Sequence, residues 1–209
     1  TYRQTWSIVV ARFFIDPVWW MFLNWMPIYL FQVFNYDIKE IGASAWLPYV
    51  GAAAGSLLGG YISGNFIKQG RTLTYARKMS VGIGAIITIP GLILTALQSD
   101  PWLAIYSMTL ALFGVQFALN TIQTLPGDFY AGKSVGTVAG IGGMAAALGV
   151  FVSTLIIPHI TEVNFFYFFL MGIGLMIVGV ILLYFLAGEI GRVKLTHHKV
   201  NSPRRTFGS

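Results

Sequence analysis

Cysteine is absent from the 209 residues. That excludes a disulfide framework, a thiolate metal site and a cysteine nucleophile, and leaves the redox compartment unread. Charge is also scarce: Asp, Glu, Lys and Arg make up 10% of the chain, against about a quarter in soluble globular domains. So few charged side chains cannot dress a surface for water. Hydrophobic residues reach 56% and mean hydropathy is +0.72, so lipid is the expected solvent for much of the molecule. The fingerprints of common catalysis are missing too. There is no P-loop, no Gly-x-Ser-x-Gly and no His-Glu-x-x-His, which leaves nucleotide hydrolysis and hydrolase chemistry without a foothold. His159 falls in an expected outer loop, with His197 and His198 in the C-terminal tail; all three read as solvated, and no metal-ligand cluster forms. The expectation is a non-enzyme without metal or cofactor.

What the chain does contain is six long apolar runs, at about 6–34, 41–67, 79–98, 101–124, 134–157 and 164–187. Each matches or exceeds the ~20 residues that a helix needs to cross the hydrocarbon. None shows the strict alternation of a barrel strand. Helices satisfy their backbone polar groups within one span, so the pattern predicts an all-α integral membrane domain over 1–188, followed by a basic tail over 189–209. The start, Thr1-Tyr2-Arg3-Gln4, lacks an initiator Met and a signal pattern, and reads as a fragment with sequence upstream.

The basic residues set the expected orientation. With a cytoplasmic N-terminus, the inside segments hold Arg3, Lys68, Arg71, Arg77, Lys78, Lys133, Arg192, Lys194, Lys199, Arg204 and Arg205, eleven of the thirteen. Arg12 lies within the first run and only Lys39 faces out, so the positive-inside rule places both ends of the segment in the cytoplasm. The net charge of +6 is thereby a topology signal, with membrane lipid as the partner of the tail. Nucleic-acid binding would require basic residues interleaved with exposed aromatics, which the chain does not supply.

Four features carry chemical interest. Arg12, Asp16, Trp20 and Asn24 recur every four residues and form one stripe on the first helix. Arg12 and Asp16 can pair at i, i+4 near the cytoplasmic end, either locking that end or bracing a gate. Trp20 and Asn24 lie nearer the bilayer centre, where cavity lining and helix packing are both open readings; Pro27 is expected to kink the outer half. Gly51, Gly55 and Gly59 in the second run, and Gly136, Gly140 and Gly143 in the fifth, form small-residue ladders for close helix packing or for faces that slide. Gln116, Asn120, Gln123 and Thr124 share a stripe of the fourth run. Unpaired amides in hydrocarbon are costly, so they bond neighbouring helices or meet a polyhydroxy ligand, with Gln116 and Asn120 the better placed. No run but the first carries a carboxylate, so a proton-coupling group is not evident in this segment.

The stretch from Arg12-Phe-Phe-Ile-Asp16-Pro17-Val18-Trp19-Trp20 through Leu23-Asn-Trp-Met-Pro27 resembles the seventh helix of hexuronate transporters, in the anion:cation symporter branch of the major facilitator superfamily. Leu125-Pro126-Gly127-Asp128-Phe129-Tyr130 and 135–144 are similar to that branch's junction of tenth and eleventh helices. Gly59-Gly60 to Gly70-Arg71, with Ala76-Arg77-Lys78, is similar to the superfamily's loop after the eighth helix, although Gly64 stands near that loop's usual acidic residue. The resemblance implies half of a twelve-helix fold, helices seven to twelve, completed by an N-terminal six-helix half. It implies proton-coupled uptake of a small organic anion, a hexuronate or related sugar acid, across the cell inner membrane by alternating access. Trp20, Asn24, Gln116 and Asn120 are then expected to line the substrate cavity, with Arg12 and Asp16 bracing the cytoplasmic gate. A stand-alone six-helix channel or membrane interaction protein is the alternative.

Overall fold

The computed structural model describes residues 2–191. The tail's Arg192, Lys194, His197, His198, Lys199, Arg204 and Arg205 lie outside them. All regular structure among the described residues is helical: α1 (Tyr2–Phe34), α2 (Ile38–Ser44), α3 (Trp46–Lys68), α4 (Leu73–Leu97), α5 (Pro101–Phe129), α6 (Lys133–Thr161) and α7 (Phe165–Ala187). Six spans among the described residues are long and apolar enough to cross a membrane, with α2 and α3 together forming the second.

That second span is broken where one continuous helix was expected. Pro48 has no N–H to donate to the Ser44 carbonyl one turn back, and the helix divides at Ala45, which caps both pieces. Asp37 starts α2 with a reciprocal cap: its carboxylate accepts from the Glu40 N–H at 2.7 Å, and Glu40 accepts from the Asp37 N–H at 2.8 Å. The third span begins earlier than the hydropathy suggests, at Leu73, because Thr72 Oγ1 accepts from the Tyr75 N–H and supplies an N-cap. Pro17 and Pro27 both lie inside α1, which runs unbroken through them.

The fifth helix is the hub. In its most apolar stretch 61% of residues are buried within the protein, against 50% for α1 and 28% for α7, so α5 is the most enclosed of the described spans. It packs against α3, α4 and α1; α1 also contacts α6 and α7, and α4 contacts α7. The α3–α5 contact is a backbone approach allowed by glycine. A Cβ at Gly51 would stand 2.8 Å from the Thr109 carbonyl oxygen, one at Gly59 2.6 Å from that of Phe117, and one at Gly55 would overlap that of Phe113. The α1–α7 contact is aromatic at the Tyr29 end of α1, where Tyr29 meets Phe165 and Phe169 edge-on at 5.3 and 5.1 Å.

The opposite end is closed by cations on the last carbonyls of α7. Arg3 donates to the Phe185 carbonyl, Lys78 Nζ donates to that of Tyr184 at 3.2 Å, and the Tyr184 hydroxyl returns a bond to the Lys78 carbonyl. These cations complement the negative end of the helix dipole. The first residues beyond α7, expected to be solvated, are docked: the Ile190 N–H donates to Thr74 Oγ1 at 2.7 Å and Ile190 is buried.

Candidate functional site

On α1 the four-residue stripe is intact. Arg12 Nε donates to Asp16 Oδ2 at 3.2 Å and Nη2 to Oδ1 at 3.1 Å, a bidentate pair. The side chains are 19% and 10% exposed, so the pair is largely withdrawn from the surface while one edge stays open. Asp16 is the fifteenth residue of the 33-residue α1.

Arg12, Asp16 and Trp20 open onto one cleft of about 420 Å³, closed on the other side by Gly143, Ala146, Ala147, Val150 and Phe151 of α6. Small residues on α6 leave that room. Trp20 is 42% exposed and also borders a narrow crevice beside it, shared with Asn24, Ser153 and Thr154. Three of the stripe's side chains therefore converge on one opening and the fourth adjoins it.

Gln116 and Asn120 line neither space. Asn120 Nδ2 donates to the Ser56 carbonyl of α3 at 2.6 Å, and a Cβ on Gly60 would lie 3.0 Å from that same nitrogen. Its amide donor is thus committed to the α3–α5 contact. Gln116 is half-buried one turn earlier on α5. Gln123 and Thr124 are exposed, with Thr124 bonded to the Thr121 carbonyl.

The close approach of α6 to α1 does not use the glycines that the ladder pattern pointed to. Gly136 and Gly140 have nothing within 4 Å of an added Cβ, and Gly143 has only Arg12 Nη1 at 3.9 Å. Gly142, 3.2 Å from Arg12 Cδ on the same test, and Gly149, against the Phe13 carbonyl and Pro17, are the contact residues. Helix geometry separates the two sets: Gly142 and Gly149 are seven residues apart and share a face, while Gly136 and Gly140 turn outward.

A second ionic cluster, not singled out from the sequence, ties three helices together. Arg77 of α4 donates to both Asp128 oxygens, at 2.8 and 3.2 Å, and through Nη1 to Ser63 Oγ of α3 at 2.8 Å. Asp128 was expected to be loop; it belongs to the last turn of α5, which continues to Phe129. Arg71, in the turn before α4, is exposed and lies 5.4 Å from the Tyr75 ring centre. His159, expected in a loop, sits in the last turn of α6, exposed and bonded to the Leu155 carbonyl. Among the described residues no group of three or more His, Asp or Glu is placed to hold a metal ion.

No family model matches the chain. Among curated proteins it is similar to the hexuronate transporter of Escherichia coli K12, 34% identical over 162 residues covering 77% of this chain and 37% of that protein. The galacturonate transporter of Dickeya chrysanthemi is 38% identical over 105 residues, 49% of this chain and 30% of that one. A protein of Escherichia coli K12 named "Probable galactarate/D-glucarate transporter GarP" is 29% identical over 195 residues, 92% of this chain and 44% of its own length. The chain spans less than half the length of these curated relatives.

Proposed function

We propose, from the premise that this chain belongs to the anion:cation symporter branch of the major facilitator superfamily, that it forms the C-terminal six helices of a proton-coupled importer of hexuronates or related sugar acids. The observation that carries the reading is the α1 stripe. A bidentate ion pair and an indole share one side of a membrane helix and open onto a cleft, and an amide one turn further on borders the crevice beside it. Polar groups in a span belong where a bundle interior or a watery cavity receives them.

In this reading Trp20 offers a flat apolar face to a sugar ring and Asn24 offers donors and an acceptor to its hydroxyls. Gln116 of α5 stands outside this cleft and is a second amide for the midplane site between the two halves. Asn120 holds α3 against α5 and presents its remaining oxygen at that seam. Arg12 and Asp16 brace α1 in the resting state. The exposed small-residue face of α6, Gly136 and Gly140 included, meets an N-terminal six-helix half, and the two halves rock about a midplane site. The relatives' greater length supports that division, and their names support transport over catalysis. A stand-alone channel gains nothing from either observation.

Uptake of labelled galacturonate, glucuronate and galactarate by cells expressing the complete reading frame tests the proposal. Trp20→Ala and Asn24→Ala are expected to raise KM for the transported acid with protein levels maintained. Unchanged KM and kcat for both variants would remove these side chains from the cavity.

A further inference from the structure

The C-terminal end of α7 gathers more positive charge than a helix end requires. Arg3, at the start of α1, donates to the Phe185 carbonyl, and Lys78 of α4 donates through Nζ to that of Tyr184 at 3.2 Å. A helix C-terminus holds roughly half an elementary negative charge, so two full cations leave an excess. The ion pairs among the described residues are Arg12–Asp16 and Arg77–Asp128; neither Arg3 nor Lys78 has a carboxylate partner there. Of the carboxylates at this end of the bundle, Asp128 is held by Arg77, and Glu189 lines a separate cavity with Gln4, Thr72 and Thr74.

Beside these cations, on the membrane-spanning surface of α7, lies an apolar groove of about 470 Å³ lined by Val180, Ile181, Tyr184 and Phe185. Residues at i, i+1, i+4 and i+5 share one side of a helix. α7 is the most apolar of the six spans and only 28% of its most apolar stretch is buried within the protein, so its outer side meets acyl chains. The cationic end of the groove is built from two helices. Gly82 of α4 leaves room for the Tyr184 hydroxyl, which a Cβ there would approach to 2.7 Å. That hydroxyl donates to the Lys78 carbonyl, and the Lys78 ammonium stands 5.7 Å from the centre of the same ring. Tyr184 is thereby pinned with its ring in the groove and a cation over it.

We infer that this corner of α1, α4 and α7 binds an anionic glycerophospholipid, with one acyl chain along the groove and the phosphate between Arg3 and Lys78. The groove residues fall in the last two turns of a helix that ends at Ala187, the depth at which chains give way to headgroups and where Tyr, Lys and Arg anchor spans. After its bond to a carbonyl the guanidinium keeps four of five N–H groups and the ammonium two of three, enough to hold a phosphodiester. A protein helix laid on the apolar side would leave both cations unmatched, whereas one phospholipid supplies the chain and the anion together. A zwitterionic lipid fits the same groove but brings its own ammonium towards two cations, so the site selects for net negative charge. Each interfacial cation contributes roughly fivefold in affinity for anionic lipid. Bound there, the lipid ties the start of α1 to α4 and α7.

The test uses the complete protein, purified in detergent and stripped of lipid, then given phosphatidylglycerol and phosphatidylcholine of matched chains; native mass spectrometry counts the lipid retained. Phosphatidylglycerol is expected to be preferred by about tenfold or more, from two cations at roughly fivefold each. Arg3→Gln with Lys78→Gln is expected to abolish the preference while phosphatidylcholine is retained as before. Lys68→Gln with Arg71→Gln removes equal charge from exposed positions at the same end and is expected to keep it; equal loss in both double variants means diffuse attraction and overturns the site. Ile181→Trp fills the groove with the cations intact and is expected to lower phosphatidylglycerol retention, and unchanged retention would remove the groove. Glycerol phosphate, which has the anion without chains, is expected not to displace the lipid; displacement would reduce the site to one for free phosphate and overturn the inference. Because Arg3 and Lys78 also cap α7, their double variant can fail to fold, and the unmodified protein then decides. A preference that high salt removes supports the site, and equal retention of both lipids, which leaves the groove to bulk lipid or a protein helix, overturns it.

Discussion

Gly149 of α6 lies against the carbonyl oxygen of Phe13, which Pro17 leaves without its helical donor. A Cβ at Gly149 would overlap that oxygen and stand 3.1 Å from Pro17 Cγ. The carbonyl freed by proline is thus covered by the one residue type that can come close enough. Since both elements are backbone, neither can give way by turning a side chain. Gly149→Ala is expected to cost about 1–3 kcal/mol, the range for overpacking. Gly174 on α7, with nothing within 4 Å of an added Cβ, provides the control: Gly174→Ala is expected to stay within about 0.5 kcal/mol. Thermal unfolding of the two purified variants in detergent compares them, and equal losses would contradict the contact.

The Arg77–Asp128 pair is 15% exposed on each side chain and ties the start of α4 to the end of α5, 51 residues further on. Because Ser63 occupies the third guanidinium nitrogen, removing one partner leaves the others imperfectly satisfied. A double-mutant cycle with Arg77→Gln and Asp128→Asn is expected to give a coupling of about 0.5–3 kcal/mol, the range for residues in one ionic network. Additive losses, within a few tenths, would mean that the pair contributes nothing jointly.

Asn120 separates packing from binding. Its donor to the Ser56 carbonyl is a hydrogen bond in a setting where membrane interhelical bonds contribute roughly 0.6 kcal/mol on average. Asn120→Leu is expected to lower stability by about that amount or somewhat more, since the leucine must also fit beside Gly60. Asn120→Asp keeps an acceptor and loses the donor, so it should be the more damaging of the two. If Asn120→Asp instead left unfolding unchanged and altered only substrate KM, the residue would belong to the cavity alone.

Much of this was legible from residue order. The apolar runs locate six spans because lipid leaves a helix no other way to satisfy its backbone, and the spacing of Arg12 and Asp16 alone predicts their pairing. The glycines of α3 were readable for the same reason: Gly51, Gly55 and Gly59 are the residues that meet the backbone of α5. In α6 the pattern was ambiguous, because small residues occupy nearly every face between Gly136 and Gly149, and only the neighbour's shape selects Gly142 and Gly149. The Arg77–Asp128 pair was hidden for a different reason. Its members are 51 residues apart, and hydropathy treats each as the polar end of its own span. Pairing neutralises Asp128 and lets α5 continue past the point where an isolated carboxylate would mark a loop.

Orientation supplies a test that the composition makes unusually direct. The chain has no cysteine, so a single introduced thiol within it is the only one it presents. Lys39 on α2 and Lys133 at the start of α6 are both exposed, and they lie at opposite ends of the bundle, since one span starts near the first and an odd number of crossings (α2–α3, α4 and α5) separates them. The excess of basic residues on the Lys133 side predicts that this side is cytoplasmic. In intact cells, an impermeant maleimide with access to the membrane is expected to label Lys39→Cys and to leave Lys133→Cys unlabelled until that membrane is opened. The reverse pattern would invert the topology.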